Sequence, residues 1–413
     1  MGQAMRNLRI DGARLWASLM EMAEIGALPN GGCGRLALTD LDREGRDLFV
    51  RWCEAAGCAV TVDSMGNIFA RRPGTDAGRR PVGTGSHLDT QPHGGKFDGV
   101  LGVLAGLEVI RSLNDAEVET AAPIEVVVWT NEEGSRFTPS MCASGVFAGA
   151  FEEADILDHT DVDGHVFGEE LERIGYAGPE RCGAHAFETF YEIHIEQGPI
   201  LEAAERPVGV VTGVQGMRWY DVTVTGQDAH AGPTPMEVRR DAMLAAARMV
   251  QIVVETGRGH PPHGRGTVGH MRVVPNSRNT IPGEVHFTID IRHPDPGVLE
   301  RMDREMCAAI EASAEADGVE VEMEQVTNSA PIQFDRGCVA AVREAAETLG
   351  YTHMDVVSGA GHDSVYISQV APTSMIFIPC EGGLSHAEAE NVEPEHVTVG
   401  GNVLLHAILD RAG

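Results

Sequence analysis

The sequence predicts an α/β protein with a mostly parallel central sheet that is interrupted by a smaller α+β domain. In residues 1–211 and again in 330–413, short apolar runs typical of buried strands alternate with longer segments of helical spacing. This alternation is typical of a parallel sheet covered by helices. Residues 212–329 have a different pattern, in which several strand-like segments accompany only two helices. The chain therefore predicts one larger domain built from two stretches of sequence and one smaller inserted domain.

The elements of the larger domain follow from hydrophobic spacing and from capping residues. A helix over 39–56 begins at the capping residues Thr39 and Asp40 and ends at Gly57. The continuous apolar run "IEVVVW" at 124–129 predicts a strand buried on both faces. The other elements expected before residue 211 are helices at 7–26 and 98–113, with Asp98 as the cap of the second, and strands at 58–62, 67–71, 81–86 and 190–199.

The inserted domain and the return to the larger domain are predicted from the same spacing. The smaller domain is expected to contain strands at 217–225, 267–274, 284–291 and 319–326, and helices at about 237–255 and 296–316. After Pro331 the alternation resumes. The elements expected there are a helix at 336–348, strands at 354–357 and 372–379, and a final helix at 397–411.

Composition excludes several classes of function. The formal net charge of −31 disfavours nucleic acid and anionic membranes as partners, because phosphate recognition needs clustered Lys and Arg. No run of 18 uninterrupted apolar residues and no secretory signal is present, so a cytoplasmic location is expected. The eight cysteines include no CxxC pair. A disulfide framework is therefore not expected, and any metal site should use His and carboxylate ligands.

The residues able to do chemistry follow the ends of predicted strands. Glu132 and Glu133 stand side by side just after the strand at 124–129. The other candidates near strand ends are His87, Asp89, Asp98, His194 and His386. Because ligands collect at the carboxyl ends of the strands in an open α/β sheet, we expect these side chains in one crevice.

This set of histidines and carboxylates suits two divalent ions that share one carboxylate. Such ions lower the pKa of a bridging water toward about 7, and the remaining proton of that water then needs an acceptor. Two adjacent glutamates can meet both needs, since neighbouring side chains point in different directions. One would bind metal while the other accepts the proton, and the cations would offset the repulsion between the carboxylates.

Eight segments of the chain carry a resemblance to a known family. In order they are "SHLDTQPHGGKFDGVLGV", "TNEEGSRF", "HIEQGP", "GQDAHAGPTPM", "VPNSRNTIPG", "DIRHPD", "SGAGHDS" and "LSHAEAE". From about residue 10 to 410 the chain resembles the hydantoinase/carbamoylase branch of the di-zinc aminoacylase and carboxypeptidase-like superfamily. The resemblance implies a di-metal catalytic domain interrupted by a lid and dimerisation domain.

The resemblance also implies a role for each residue at the strand ends. The implied ligands are His87, Asp98 and His194 for one ion, and Asp98, Glu133 and His386 for the other, with Asp98 as the bridge. Glu132 is implied as the general acid/base. Asp89 is implied to orient the His87 imidazole without binding metal itself. A His and carboxylate set without thiolate accepts two divalent ions of Zn, Mn, Co or Ni.

The inserted domain is implied to complete the site. His230 would stabilise the oxyanion of the tetrahedral intermediate, reaching in from the partner subunit of a homodimer. Asn279 and Arg292 would hold a substrate carboxylate, since a guanidinium matches a carboxylate bidentately. The further substrate contacts implied are Gln197, Gly361 and His362. Arg292 taken alone is also compatible with a structural ion pair, and Asn279 with a simple turn.

The reaction implied by the family is hydrolysis of a ureido group by metal-activated water, which releases carbon dioxide and ammonia. The segment "MCASGVFAG" resembles the carbamoylase and ureidopropionase members more than the allantoate enzymes, and "TGVQGMRWYDVTVTGQDAHAGPTP" resembles the carbamoyl-amino-acid group. N-carbamoyl-L-amino acids are therefore the expected substrates. N-carbamoyl-β-alanine is the nearest alternative, because one methylene provides only about 1–3 kcal/mol of discrimination, and allantoate is a further alternative. An aminoacylase or dipeptidase reaction and a non-catalytic binding protein are further alternatives. The complete ligand set disfavours the last of these.

Overall fold

A computed structural model describes residue 5 and residues 7–413 of the chain. The chain divides into two compact units. The larger unit comprises the residues up to Thr212 together with Phe334–Gly413, and the smaller unit is Gly213–Gln333. None of the helices in the described residues has both the length and the hydropathy needed to cross a membrane.

The secondary structure is numbered along the whole chain. The strands are β1 (Ala59–Val62), β2 (Ile68–Arg72), β3 (Val82–His87), β4 (Ile124–Trp129), β5 (Thr189–Ile195), β6 (Val208–Val214), β7 (Gly216–Thr225), β8 (Ala229–His230), β9 (Arg265–Thr267), β10 (Met271–Val274), β11 (Thr280–Ile281), β12 (Glu284–His293), β13 (Glu320–Ser329), β14 (Ile332–Gln333), β15 (His353–Ser358) and β16 (Thr373–Ile378). The α-helices are α1 (Gly12–Ala23), α2 (Asp40–Ala55), α3 (Val100–Asp115), α4 (Cys142–Phe147), α5 (Glu153–Leu157), α6 (Phe167–Arg173), α7 (Ile200–Ala203), α8 (Ala242–Arg258), α9 (Pro296–Asp317), α10 (Arg336–Leu349), α11 (Ser364–Ile367) and α12 (Pro394–Ala412). Short 3₁₀ helices occupy Met236–Val238 and Glu381–Gly383.

The larger unit is built on a mixed sheet with strand order β1-β2-β4-β3-β5-β16-β6, and β15 also pairs with β6. Strand β3 runs parallel to β4 and β5, and β16 runs parallel to β5. Pairing is antiparallel toward both edges, between β1, β2 and β4 on one side and between β16 and β6 on the other. Every residue of β3, β4, β5 and β16 is buried. The predicted α/β class with a mostly parallel centre is confirmed.

Helix α3 lies against the middle of this sheet at a distance that only glycine allows. A Cβ at Gly102 would lie 2.7 Å from the Ser86 Cβ, and one at Gly106 would lie 2.9 Å from the Thr84 methyl carbon. Both partners belong to β3. The glycines of "GVLAGLEV" therefore let the helix approach the strand that leads to His87.

Two of the predicted helix starts have different outcomes. Thr39 caps α2 as expected, since its hydroxyl accepts the N–H of Asp42. The prediction that Asp98 caps α3 is wrong, because the helix begins at Val100 after Gly99 (φ +68°) and has no side-chain cap. The Asp98 carboxylate instead accepts hydrogen bonds from Gln197 and Ser385.

The smaller unit contains an antiparallel sheet of order β10-β12-β7-β13, and β9 also pairs with β12. Helices α8 and α9 pack on this sheet, and alternate residues of β12 and β7 face them across a shared core. The helix predicted from 237 begins later, because Asp241 caps α8 by accepting the N–H groups of Met243 and Leu244. The strand predicted at 267–274 is two strands, β9 and β10. Strands β8 and β11 form a separate two-stranded ribbon.

A buried ion pair supports the loop that follows β4. The side chains of Arg46 and Asp42 are wholly buried, and Arg46 Nε lies 2.9 Å from Asp42 Oδ2. Arg46 also donates to the Gly66 carbonyl at 2.8 Å and to the Thr130 hydroxyl at 3.2 Å. Thr130 immediately follows β4 and precedes the two glutamates by two residues. Removing one partner would leave a buried charge uncompensated.

We expect Arg46→Ala to lower the free energy of unfolding by about 3–5 kcal/mol, measured by urea denaturation. The control is Arg343→Ala, which removes a guanidinium that pairs with the more exposed Asp355 at 2.8 Å. Partly exposed pairs contribute about 0–1 kcal/mol, so this control should stay close to the wild type. Equal losses in both variants would contradict a special role for the buried pair.

Candidate metal centre and active site

The carboxyl ends of the parallel strands bring the predicted residues together. Strand β3 ends at His87, β5 ends one residue after His194, and both point the same way as β4 and β16. The side chains that meet at this edge are His87, Asp98, Glu132, Glu133, His194 and His386. Topology thus places at one edge residues that are as far apart as 299 positions in the chain.

Asp98 lies at the centre of the cluster. Its Oδ1 is 3.1 Å from His194 Nε2 and 3.7 Å from His87 Nε2, whereas its Oδ2 is 3.6 Å from His386 Nε2. Glu133 Oε2 is 3.4 Å from the same nitrogen of His386. Two ligand groups, His87–Asp98–His194 and Asp98–Glu133–His386, therefore share one carboxylate and use opposite oxygens of it.

The two buried imidazoles are aimed by main-chain carbonyls. His87 Nδ1–H donates to the carbonyl of Asp89 at 2.8 Å, and His194 Nδ1–H donates to that of Ile195 at 2.9 Å. These bonds leave both Nε2 atoms facing Asp98, the arrangement that metal-binding histidines require. Gly99 makes room for the first ring, since a Cβ there would lie 2.3 Å from it.

The side chain of Asp89 has a different partner from the one predicted. Its Oδ1 is 3.9 Å from His87 Nδ1, so the carbonyl and not the carboxylate is hydrogen-bonded to that ring. The carboxylate accepts the backbone N–H groups of Glu132 at 3.3 Å and Glu133 at 3.2 Å. The adjacent Asn131 has a left-handed backbone (φ +56°). Asp89 therefore positions the glutamate loop as well as the histidine.

Glu132 and Glu133 point to different partners. Glu132 Oε2 lies 3.6 Å from His87 Nε2, while Glu133 faces His386 and accepts two hydrogen bonds from Gln91, at 3.1 and 2.6 Å. Burial, followed by the charge of Asp363 and then that of Glu133, holds the pKa of Glu132 well above its usual range. Burial and the charge of Asp98 raise the pKa of Glu133 in the same direction.

The donor set fits divalent cations. Histidine nitrogens lie within 4 Å of the carboxylates of Asp98, Glu132 and Glu133, and metal cations would balance the buried negative charge of this cluster. Imidazole and carboxylate ligands without thiolate suit Zn, Mn, Co or Ni. Burial raises the pKa of the nearby Cys142 thiol to about 12, which is consistent with a packing role for that cysteine.

The other predicted contacts of the larger unit surround this cluster. Gln197 donates to Asp98 Oδ2 at 2.9 Å, and its own Oε1 is buried with no hydrogen-bond partner among the described residues. The ring of His362 lies 4.5 Å from that of His194, and its Nε2 is 2.9 Å from the Ser358 hydroxyl. Gly361 is exposed and borders Met141.

His230, Asn279 and Arg292 belong to the smaller unit. The β8–β11 ribbon places the first two near each other, since His230 pairs with Thr280 and the Ala231 N–H donates to the Asn279 carbonyl at 2.8 Å. Both side chains are exposed. Arg292 Nη2 lies 2.7 Å from Asp290 Oδ2, so this guanidinium makes the ion pair that sequence reasoning left open.

Sequence reasoning missed several residues that contact the ligands or their neighbours. Glu192, two residues before His194 on β5, accepts hydrogen bonds from the hydroxyls of Ser86 at 2.7 Å and Ser364 at 2.6 Å. Its signal was the alternation of "FYEIHIEQGP", which places it on the face of His194. Ser385 and Glu390, both within "LSHAEAE", were missed because nothing local connects them to Asp98.

The fold and the cluster define a class of metallohydrolase, and comparison with known proteins supports this. Residues 83–410 match the peptidase family M20/M25/M40, and the chain belongs to that family. An N-carbamoyl-L-amino-acid amidohydrolase from Rhizobium meliloti is 51% identical over 98% of each chain. One from Geobacillus stearothermophilus is 38% identical, over 97% of this chain and 98% of the relative. A crystal structure of an amidase of the hydantoinase/carbamoylase family from Burkholderia multivorans has a TM-score of 0.96 at 60% identity, covering 98% of each chain. The resemblance inferred from the motifs is confirmed.

Metal binding should release protons. Although burial lowers the pKa of His194, its hydrogen bond to Asp98 and the charges of Asp98 and Glu192 outweigh that effect and raise the pKa to about 9. The pair with Asp98 therefore favours the protonated ring in the metal-free protein, and metal binding should displace that proton. We expect affinity to rise from pH 7 to about 9. Calorimetric titration in buffers of different ionisation enthalpy would check this, and buffer-independent heats would contradict it.

Proposed function

We propose that the protein is a metal-dependent amidohydrolase that cleaves N-carbamoyl-L-amino acids to L-amino acid, carbon dioxide and ammonia. The observation that carries this proposal is the double ligand group around Asp98 with Glu132 beside it. The names of the relatives that are 51% and 38% identical along nearly the whole chain support this choice of substrate. A cytoplasmic homodimer holding two divalent ions per subunit is part of the proposal.

The roles of the residues in the larger unit follow from their partners. The proposed ligands are His87, Asp98 and His194 for one ion and Asp98, Glu133 and His386 for the other. Bound ions would lower the pKa of water so that a hydroxide nucleophile is available at neutral pH. Glu132 accepts the proton that this water loses and delivers it to the leaving nitrogen.

The proposed substrate-binding groups fall into two sets. Gln197, Gly361 and His362 contact the ureido end, and the free Oε1 of Gln197 can accept one of its N–H groups. Asn279 and Arg292 hold the carboxylate, and His230, supplied by the partner subunit, stabilises the oxyanion. A carbamoyl amino acid has one carboxylate and one ureido group, so the two sets match its two polar ends.

The identity of the substrate can be tested by assaying the metal-restored protein on several candidate compounds. The purified protein would be stripped with chelator, supplied with Mn, Co or Zn, and assayed for ammonia release from an N-carbamoyl-L-α-amino acid, its D form, N-carbamoyl-β-alanine and allantoate. N-acetyl-L-methionine would be followed as released amino acid. We expect metal-dependent turnover led by the L-carbamoyl substrate. Faster ammonia release from N-carbamoyl-β-alanine or allantoate would identify that compound as the substrate instead. The absence of ammonia release from every ureido compound would refute the proposed reaction.

Glu132→Gln should reduce kcat by about 10²–10⁴-fold, the usual contribution of a general acid/base, while both ions remain bound. The matched control is Glu133→Gln, which alters the adjacent proposed ligand and should lower metal content. Elemental analysis of both variants beside kcat provides the comparison. Loss of both ions from Glu132→Gln would show that Glu132 is a structural residue.

Arg292→Ala should raise KM about 10–100-fold for substrates with a carboxylate, since a charged hydrogen bond provides about 1.5–3 kcal/mol. The corresponding uncharged carbamoyl amide should be hydrolysed as before. Asp290→Asn is the control, because it removes the ion-pair partner of Arg292 and should not weaken carboxylate binding. Equal damage to both substrates in Arg292→Ala would indicate a folding role.

A further inference from the structure

Glu390 is a buried carboxylate that no step of the proposed reaction uses. It is 2% exposed and follows His386 by four residues. Its Oε1 accepts the backbone N–H groups of Phe97 and Asp98, each at 3.1 Å. These two amides belong to the segment that carries the shared carboxylate. Glu390 thus joins the loop of one ligand to the loop of another.

The hydroxyl of Ser385 extends this connection to the carboxylate of Asp98. Ser385 Oγ is 2.8 Å from Asp98 Oδ2 and 3.1 Å from Glu390 Oε2. Glu390 is therefore linked to Asp98 in two ways. It accepts the backbone N–H of Asp98 directly, and Ser385 connects it to the Asp98 carboxylate. The oxygen of Asp98 involved is the one that faces His386.

The loop before Phe97 is shaped to receive Glu390. A Cβ at Gly95 would lie 2.0 Å from the Glu390 carboxyl group, so any larger residue would occupy the space that the glutamate fills. Gly95 has no left-handed backbone that would otherwise call for glycine. Gly95 in "HGGKFDG" and Glu390 in "LSHAEAE" are therefore complementary in shape.

His386 lies in the same segment as Ser385 and Glu390. Its side chain is 51% exposed, and its Nε2 lies 3.4 Å from Glu133 Oε2 and 3.6 Å from Asp98 Oδ2, beyond hydrogen-bond distances for well-formed bonds. Its backbone is left-handed (φ +55°). The ring is therefore located by the segment that Ser385 and Glu390 fasten to the Asp98 loop.

We propose that Glu390 is a positioning residue that fixes Asp98 and His386 relative to each other and so sets the affinity for the ion between Asp98, Glu133 and His386. This inference rests on the proposed metal-dependent function. Glu390 would act through hydrogen bonds, since it contacts the backbone amides of Phe97 and Asp98 and the hydroxyl of Ser385. Removing partners that orient ligands typically lowers metal affinity 10–100-fold.

Two substitutions of Glu390 separate geometry from charge. Glu390→Ala removes every contact and should raise the dissociation constant of the ion between Asp98, Glu133 and His386 about 10–100-fold, with a smaller rise for the other ion, which shares only Asp98 with it. Glu390→Gln keeps an oxygen for the two amides and places an NH₂ group beside Ser385 Oγ, so it should restore both constants. The measurement is competition with a chelator on the metal-free protein, in the absence of substrate.

Ser385→Ala provides a second, milder perturbation at a half-buried position. It should lower the affinity for the same ion whose binding Glu390→Ala weakens. Because both residues act on Asp98, the double variant should lose less than the sum of the single losses. If Glu390→Ala does not fold, Ser385→Ala is the test of the proposal. Metal dissociation constants of Ser385→Ala equal to those of the wild type would overturn it.

Glu108→Ala is the matched control for a purely structural loss. Glu108 is also fully buried, accepts a backbone N–H from Asp11 at 3.2 Å and the Ser112 hydroxyl at 2.8 Å, and pairs with Arg14 at 2.7 Å. These partners lie outside the proposed ligand set. It should lower the Tm and leave both metal constants unchanged. Equal metal loss in Glu108→Ala and Glu390→Ala, or a Glu390→Gln as weak as Glu390→Ala, would overturn the proposal. A wild type that binds two ions but hydrolyses no ureido substrate would refute the proposed function and leave this inference standing.

Discussion

The carboxylate of Asp98, 3% exposed and shared between three histidines, is the constraint around which the larger unit is organised. A buried carboxylate is costly unless hydrogen bonds or opposite charges satisfy it. Each oxygen of Asp98 has its own partners, and Glu132 and Glu133 add further buried negative charge nearby. The surroundings therefore provide amides, hydroxyls and imidazoles in place of water. A site built in this way favours divalent cations over other ligands.

Backbone geometry provides the precision that such a site needs. Parallel strands β3, β4 and β5 end at the same edge, so the first residues after them face one another. Where the chain turns into the site it adopts strained conformations, with left-handed Asn131 before the glutamates and left-handed His386 in the last loop. Residues in such conformations persist only when surrounding contacts hold them. Asp89 provides such contacts for the glutamates, and Glu390 for the His386 loop.

Membership of the M20/M25/M40 family and similarity to carbamoyl-amino-acid hydrolases agree with this chemistry. The residues named in the proposed function are distributed over the two units. The larger unit contains the whole ligand cluster, whereas the exposed His230 and Asn279 and the ion-paired Arg292 lie on the smaller unit.

The sequence by itself determined the α/β class, the strands that carry the site and the identity of the candidate ligands, because strand periodicity and strand ends are local properties of the chain. It misjudged Asp98 as a helix cap, since a carboxylate before a helix has the same local pattern whether it caps or turns toward distant partners. Only the tertiary structure decided that the Asp89 carbonyl aims His87 and that Glu390 supports Asp98, which is 292 positions away. Such contacts depend on strand order and loop packing, and no local periodicity encodes them.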